Sequence, residues 1–95
     1  GNSGLQWLQV DLEQEMEICK IVIYHRSKDW AHRINGAYLF VSNDKKFADK
    51  CLCAKIQGVN AGKVVTYPCA YRGRYVRIEN RGIIHVHEME VYAKI

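Results

Sequence analysis

Hydrophobic and polar residues alternate with a period of two over much of the chain. Six segments carry strand-like patterns, either a clean alternation or a short run dense in β-branched and aromatic side chains: residues 7–12, 18–24, 37–41, 63–67, 74–78 and 84–92. In a β-strand successive side chains point to opposite faces, and β-branched residues fit the pleated surface, so both patterns predict strands. Gly, Asn and Pro residues separate the segments and indicate turns.

Helical periodicity is absent from the sequence. No stretch keeps an apolar stripe at helical spacing for three turns, and the acidic residues 13–17 are expected to form one helical turn at most. Within the last segment we expect Ile84, Val86, Glu88 and Glu90 on one face, with His85, His87, Met89 and Val91 on the other. Five to seven short strands separated by turns predict an all-β domain, a sandwich or a barrel.

Length and composition set the scale of the fold. The 95 residues, 48% hydrophobic and 25% charged, predict a single globular domain over residues 1–95 with a modest core. No apolar run approaches the roughly 20 residues of a membrane-spanning helix, so no membrane span is expected. The chain begins Gly1-Asn2-Ser3-Gly4, without an initiator Met, and the lack of a visible signal peptide therefore decides nothing.

The net charge of +4 is spread along the chain. Lys45-Lys46 is its only adjacent basic pair. A positive surface attracts anionic partners, but nucleic-acid binding proteins usually concentrate their basic residues in one stripe or helix. We therefore expect no nucleic-acid partner.

Four cysteines in so small a domain favour disulfide bonding, and hence an oxidising, extracellular or secreted location. A zinc site is the alternative, because Cys51, Cys53, Cys69, His85 and His87 supply enough ligand atoms. Structural zinc sites usually contain cysteine pairs two to four residues apart at tight turns, and this spacing matches them poorly. The disulfide interpretation is therefore preferred.

The segment between the second and third predicted strands contains the candidate site. It runs from His25 to Arg33 and carries several cations, one carboxylate and one indole. Arginine offers a rigid fork of donors, and tryptophan offers a flat apolar surface, which together suit a sugar. The candidate residues are Arg26, Asp29, Trp30 and Arg33. A solvated loop with local ion pairs is the alternative.

Five segments, in order from residue 7 to the end, resemble the F-type lectins (fucolectins) and the discoidin-like, coagulation-factor C-type domains. Trp7-Leu8-Gln9-Val10-Asp11-Leu12 is similar to their Trp-Trp-x-Val-Asp-Leu, and Gly73-Arg74-Tyr75-Val76 matches Gly-Arg-Tyr-Val. The other three segments are IVIYHR at 21–26, RINGAYLFV at 33–41 and IHVHEMEVYA at 84–93. The resemblance implies a jelly-roll β-sandwich of the galactose-binding-domain-like type that binds fucose-like sugars.

The resemblance also assigns roles within the candidate site. Arg26 and Arg33 fall on the two arginines of the family's Arg-x-Asp-x4-Arg motif, which donate to the sugar. Lys28 stands where the family has Asp, and Asp29 follows one residue later. Asp29-Trp30 replaces a pair of adjacent cysteines that packs on the apolar face of the sugar, a role that Trp30 is expected to take over.

Further implications concern cysteines, calcium and the start of the domain. Cys53 and Cys69 fall on the family's bridged pair, which predicts a disulfide between them. Cys19 shares its parity with Ile21 and Ile23 and is expected to face inward, as a free thiol or paired with Cys51. Glu88 follows the family's last cysteine, here His87, and is a possible single calcium ligand.

The family's remaining calcium ligands, its sugar-binding His and its first strand would precede Gly1. The resemblance therefore implies a sandwich that is incomplete at the N-terminus, with one open edge. We expect an N-terminal segment or a partner chain to complete it.

Two functions from different classes follow. The first is an extracellular carbohydrate-binding module whose partner is a glycan or glycoprotein. The second is a discoidin-like adhesion or assembly module of a larger extracellular protein that has lost sugar binding, which the Lys28 departure favours. The sequence contains no nucleophile elbow, no paired carboxylates and no metal cluster, so an enzyme is not expected.

Overall fold

The computed structural model describes residues 4–25, 31–60, 62–82, 84 and 86–94. Its strands are β1 (Gln6–His25), β2 (Tyr38–Ser42), β3 (Cys51–Lys55), β4 (Val64–Pro68), β5 (Arg72–Asn80) and β6 (Val86–Lys94), and a single 3-10 turn, η1, covers Ala31–Ile34. Within these ranges there is no α-helix. The all-β prediction is confirmed.

The first two predicted strands form one long strand, β1, and residues 13–17 continue it as extended backbone without a helical turn. The pairing of β1 with β5 shifts register between Asp11 and Met16. Within that irregularity Glu13 has a φ of 71°, and its N–H donates to Asp11 Oδ1 at 2.8 Å. A local side-chain acceptor thus stabilises a bulge in an extended segment.

β1 joins the two layers of a sandwich in which every strand pairing is antiparallel. Its first half, Gln6 to Asp11, pairs with β5, which is followed outward by β2 and β3. Its second half pairs with β4 on one edge and β6 on the other. A straight strand of this length would span roughly 65 Å, whereas the longest dimension of the molecule is 36 Å. β1 therefore bends sharply at its central irregularity.

The hydrophobic core lies between the two layers. Ile18, Ile21 and Ile23 of β1 are at most 1% exposed. They belong to one buried cluster with residues from β2, β5 and the connecting segments: Leu39, Val41, Val76, Ile78, Ile34, Ala37, Ile56 and Val59. The period-two pattern of β2 and β5 places their apolar residues on this inner face.

The expected inward orientation of Cys19 is wrong. The pairing of β1 with β6 shifts register between Ile18 and Lys20, so Ile18 and Ile21 are both buried although they are three residues apart. Cys19 and Lys20 are both exposed at this bulge. An extra residue at a bulge reverses the alternation, and parity counted from Ile21 therefore fails. Cys19 and Cys51 are free thiols.

A second bulge, in the pairing of β1 with β6, makes the prediction for the faces of β6 wrong at Val86. Glu88 pairs with Tyr24, but Val86 pairs with His25, so the register skips one residue of β6. Val86 consequently packs against the core together with Met89 and Val91. The sequence pattern placed Val86 on the opposite face from those two residues.

The predicted disulfide between Cys53 and Cys69 is confirmed. The two Cα atoms are 5.0 Å apart. Cys53 lies in β3, at the edge of one layer, and Cys69 directly follows β4, which belongs to the other layer. The bond therefore ties the two layers together at their rim. Because both thiols are consumed, the zinc alternative is wrong.

Gly73 marks a close approach between strands. A Cβ atom added to this residue of β5 would lie 2.6 Å from Val41 Cγ1 and 3.0 Å from the carbonyl oxygen of Ser42. Both distances are shorter than ordinary van der Waals contact, so only glycine fits here without displacing β2.

Candidate functional site

The segments between strands meet at one end of the sandwich, which we call the tip: residues 33–37, 56–60, 62–63 and 80–82, together with His25. The His25 N–H donates to Lys63 O at 2.9 Å, and the Gly36 N–H donates to Ile56 O at 2.7 Å. The Val59 N–H donates to Asn35 Oδ1 at 2.9 Å. These bonds hold the end of β1 close to the segment that leads into β2.

Arg33 is the candidate arginine that the structure describes. It lies in η1 and is exposed, while its neighbour Ile34 is 1% exposed and anchors the turn in the core. Asn80 Nδ2 donates to the Arg33 carbonyl oxygen at 3.3 Å, which fixes the turn to the end of β5. The backbone that carries this guanidinium is thus held on two sides.

The other three candidate residues, Arg26, Asp29 and Trp30, lie outside the described residues. The side-by-side placement of the two arginines stays a prediction.

His25 is the last residue of β1, and its side chain is buried. On sequence alone it groups with the cations of the candidate segment. It is 3% exposed, and its Nε2 lies 3.2 Å from the Tyr67 hydroxyl. Within the described residues its Nδ1 has no hydrogen-bond partner. Burial, and next the positive charge of Lys63, lower the pKa of His25. The burial of His25 could have been predicted from strand alternation. Ile21, Ile23 and His25 are spaced two residues apart, so their side chains are expected on the same, inward face.

His25 is expected to make stability depend on pH. The unfolded chain binds a proton near the ordinary histidine pKa of 6.5, whereas the folded chain resists protonation. Stability is therefore retained above pH 6.5 and falls as the pH drops from there through the lowered pKa of the folded state. Urea titrations between pH 7.5 and 5 should show this decline, and His25→Gln should flatten it. An equal decline in the variant would assign the effect to another group.

The predicted calcium ligand Glu88 lies on β6 opposite Tyr24 and is exposed. Its neighbour Glu90 accepts hydrogen bonds from the hydroxyls of Tyr24 at 3.1 Å and Tyr92 at 2.9 Å. In the part of the chain that the structure describes, no three or more His, Cys, Asp or Glu residues group as metal ligands. Calcium needs six to eight oxygens, so the described residues do not by themselves fit this ion.

A second feature, which sequence reasoning missed, is a buried carboxylate on the outer face of the β1–β5–β2 layer. Glu79 is 5% exposed. Lys50 Nζ donates to its Oε1 at 3.3 Å, and Arg77 Nη1 donates to its Oε2 at 3.4 Å. The Arg77 guanidinium lies 4.4 Å from the Trp7 ring centroid and 4.0 Å from that of Phe47. These contacts hold the ion pair in a fixed orientation.

This carboxylate borders a cavity of about 510 Å³, which we call the outer pocket. Its lining combines one aromatic ring, one amide, three charged groups, one aliphatic side chain and one glycine: Leu5, Gly36, Tyr38, Lys50, Glu79, Asn80 and Arg81. Asn80 both lines the outer pocket and holds Arg33 through its amide, so the pocket adjoins η1. The volume lies within the range of small-molecule sites.

Fold and site together define a β-sandwich module with an exposed arginine, Arg33, at its tip. The family of NedA-like, galactose-binding domains, of the F5/F8 type C kind, matches residues 1–78. The chain belongs to this family.

Solved structures give the same fold. The fucolectin (F-lectin) from striped bass (Morone saxatilis) serum superposes with a TM-score of 0.84 at 27% identity, covering 94% of this chain and 32% of that one. A fucose-binding module of Streptococcus pneumoniae, SpX-3, gives 0.75 at 23% identity, over 96% of this chain and 67% of that one. The lectin domain of lectinolysin, solved with Lewis B antigen, gives 0.69 at 24% identity, over 94% and 65%.

The two relatives below 25% identity establish the fold alone. The chain spans about a third of the length of the striped bass fucolectin. No curated protein sequence matches it. No helix in the described residues is long and apolar enough to cross a bilayer.

Proposed function

We propose that this chain is a carbohydrate-binding module that grips a fucose-like sugar at the tip through Arg26 and Arg33. The observation that carries the proposal is the presentation of Arg33. Its side chain is exposed at the tip, and its backbone is fixed by Asn80 and by the buried Ile34. Fixing the backbone in this way removes the main-chain part of the conformational entropy that the donor would lose on binding a ligand.

The chemistry of the loop suits a polyol. Each guanidinium presents several N–H donors in one plane, which match the ring and hydroxyl oxygens of a sugar. The indole of Trp30 offers a flat surface for the apolar C–H face of the ring. In this proposal Asp29 takes the role of the family's aspartate, which orients an arginine, and this requires the loop to shift by one residue. The fold relatives named for fucose binding and for the Lewis B complex support this class of ligand.

We further propose an extracellular location, with glycans or glycoproteins as partners. The Cys53–Cys69 bond supports an oxidising compartment, because disulfides rarely persist in the cytosol. Calcium, with Glu88 as one ligand, and an N-terminal segment or partner chain that completes the sandwich remain predictions.

Removal of both arginines tests the sugar site. Arg26→Ala/Arg33→Ala is expected to weaken binding of methyl α-fucoside by about 100-fold or more, since each charged hydrogen bond contributes roughly 1.5–3 kcal/mol. Isothermal titration measures the change. The matched control is Arg72→Ala, which removes an exposed arginine that pairs with Glu15 away from the tip. Unchanged affinity in the double variant would place the sugar elsewhere.

A second candidate is an adhesion or assembly module without sugar binding. Lys28 stands where the family has an aspartate, and this substitution removes the carboxylate expected to orient an arginine. On this alternative, titration with fucose gives no heat, and the chain instead forms a stable interface with another part of its parent protein. Measurable heat with methyl α-fucoside would reject it.

A further inference from the structure

The outer pocket contains a charge that is costly to bury. A carboxylate loses several kcal/mol of hydration in such a position unless partners replace the water. Lys50 and Arg77 provide one donor each to Glu79. A carboxylate offers about four acceptor positions, so two described donors leave acceptor capacity on a side chain that lines the cavity. This geometry suits a ligand that carries two hydroxyl donors.

An aromatic ring stands beside these polar groups. Tyr38 is 39% exposed and also lines the outer pocket. Its ring packs against Phe40 with centroids 6.2 Å apart, and Lys55 Nζ lies 5.7 Å from its centroid on the strand that pairs with it. The contacts fix the ring while leaving part of it open to solvent. A fixed, half-exposed ring next to paired donors and acceptors suits the apolar face of a pyranose.

The position of the pocket links it to the proposed sugar site. Asn80 lines the pocket and donates to the carbonyl oxygen of Arg33. Gly36, three residues after Arg33, lines the pocket as well. The outer pocket therefore adjoins the turn that carries Arg33, in the direction in which a ligand longer than one sugar ring can extend.

We propose that the outer pocket binds a second sugar unit of the same glycan, with Tyr38 as its platform and Glu79, Lys50 and Arg81 as its hydrogen-bonding groups. This inference rests on the proposed function. The Glu79 carboxylate accepts from sugar hydroxyls, whereas Lys50 and Arg81 donate to them, so a hydroxyl-rich ring uses both kinds of group. The module therefore prefers a fucosylated oligosaccharide to the free monosaccharide.

Two probes and two variants test the proposal. Affinities of the whole chain for methyl α-fucoside and for the Lewis B tetrasaccharide are measured by isothermal titration. Tyr38→Ala is expected to lower tetrasaccharide affinity about tenfold while leaving methyl α-fucoside affinity within about twofold. Glu79→Gln keeps the shape of the side chain and is expected to have the same selective effect. Tyr71→Ala is the matched control, because Tyr71 is 41% exposed and lies between β4 and β5, away from the pocket.

The outcomes separate the two proposals. Equal affinity of the unmodified chain for both probes, or full tetrasaccharide affinity in Tyr38→Ala, overturns the second sugar site while leaving the tip site in place. If methyl α-fucoside does not bind, the proposed function fails. In that case tetrasaccharide binding that depends on Tyr38 but not on Tyr71 still supports the outer pocket, and absence of all binding rejects both.

Discussion

Ile21→Ala is expected to lower the free energy of unfolding by about 3–4 kcal/mol, because the substitution leaves a cavity that its surroundings cannot fill. Ile21 is 0% exposed and lies in the part of β1 that pairs with β4 on one edge and β6 on the other. Both neighbouring strands are held by backbone hydrogen bonds, so the site has little freedom to collapse. Urea unfolding followed by circular dichroism measures the change.

The matched control for this prediction is Leu52→Ala. Leu52 lies in β3 and is 48% exposed. Truncation of an exposed side chain usually changes stability by no more than about 0.5 kcal/mol. If the two variants lost similar stability, Ile21 would not occupy the centre of the core, and the strand register of β1 described above would be wrong.

Removal of the disulfide is expected to lower the free energy of unfolding by about 3 kcal/mol, which is the chain-entropy value for a loop of this size. The bond joins positions 16 residues apart and connects β3 of one layer to the residue that directly follows β4 of the other. Without it the unfolded chain gains conformations, and β3 is no longer tied to β4. Cys53→Ala/Cys69→Ala, which avoids placing a hydroxyl at the buried Cys69, should show the loss in urea or thermal unfolding.

The two free thiols supply the control. Cys19→Ala/Cys51→Ala removes the same number of sulfur atoms but no cross-link, because Cys19 and Cys51 are unpaired. Its effect is expected to stay within about 1 kcal/mol. A large loss in this variant, or no loss in the first, would mean that the stabilising bridge involves a different pair of cysteines.

The strands that sequence reasoning identified are those whose signal is local. β2, β4 and β5 carry dense β-branched or alternating runs, and each appears within two residues of its predicted bounds. β3 was missed because Cys-Leu-Cys-Ala-Lys lacks β-branched residues and clear alternation. The disulfide followed from the family resemblance, since spacing alone leaves several pairings of four cysteines open.

The bulges were not predictable from the sequence. Each depends on how β1 meets a partner strand that lies far away in the chain, as at Cys19, where the register with β6 shifts. A parity rule assumes an unbroken ladder, so it assigned Cys19 to the wrong face. The burial of Glu79 likewise depends on its contact with Lys50, a residue 29 positions away. The sequence around Glu79 does not predict that contact.

The candidate site was partly accessible from the sequence. Motif spacing selected Arg33, and the structure places it exposed at the tip. The outer pocket was not found, because its lining comes from two strands, β2 and β5, and from connecting segments that are far apart in the chain. Residues that only the folded chain brings together carry no joint signature in the sequence.

The sharing of β1 between both layers has a consequence for cooperativity. Because β1 contributes to both layers, we expect the opening of one layer to be coupled to the opening of the other. Amide protons of Val10 and Ile21, on opposite sides of the bend, should therefore exchange with solvent through the same global event and report one common opening free energy.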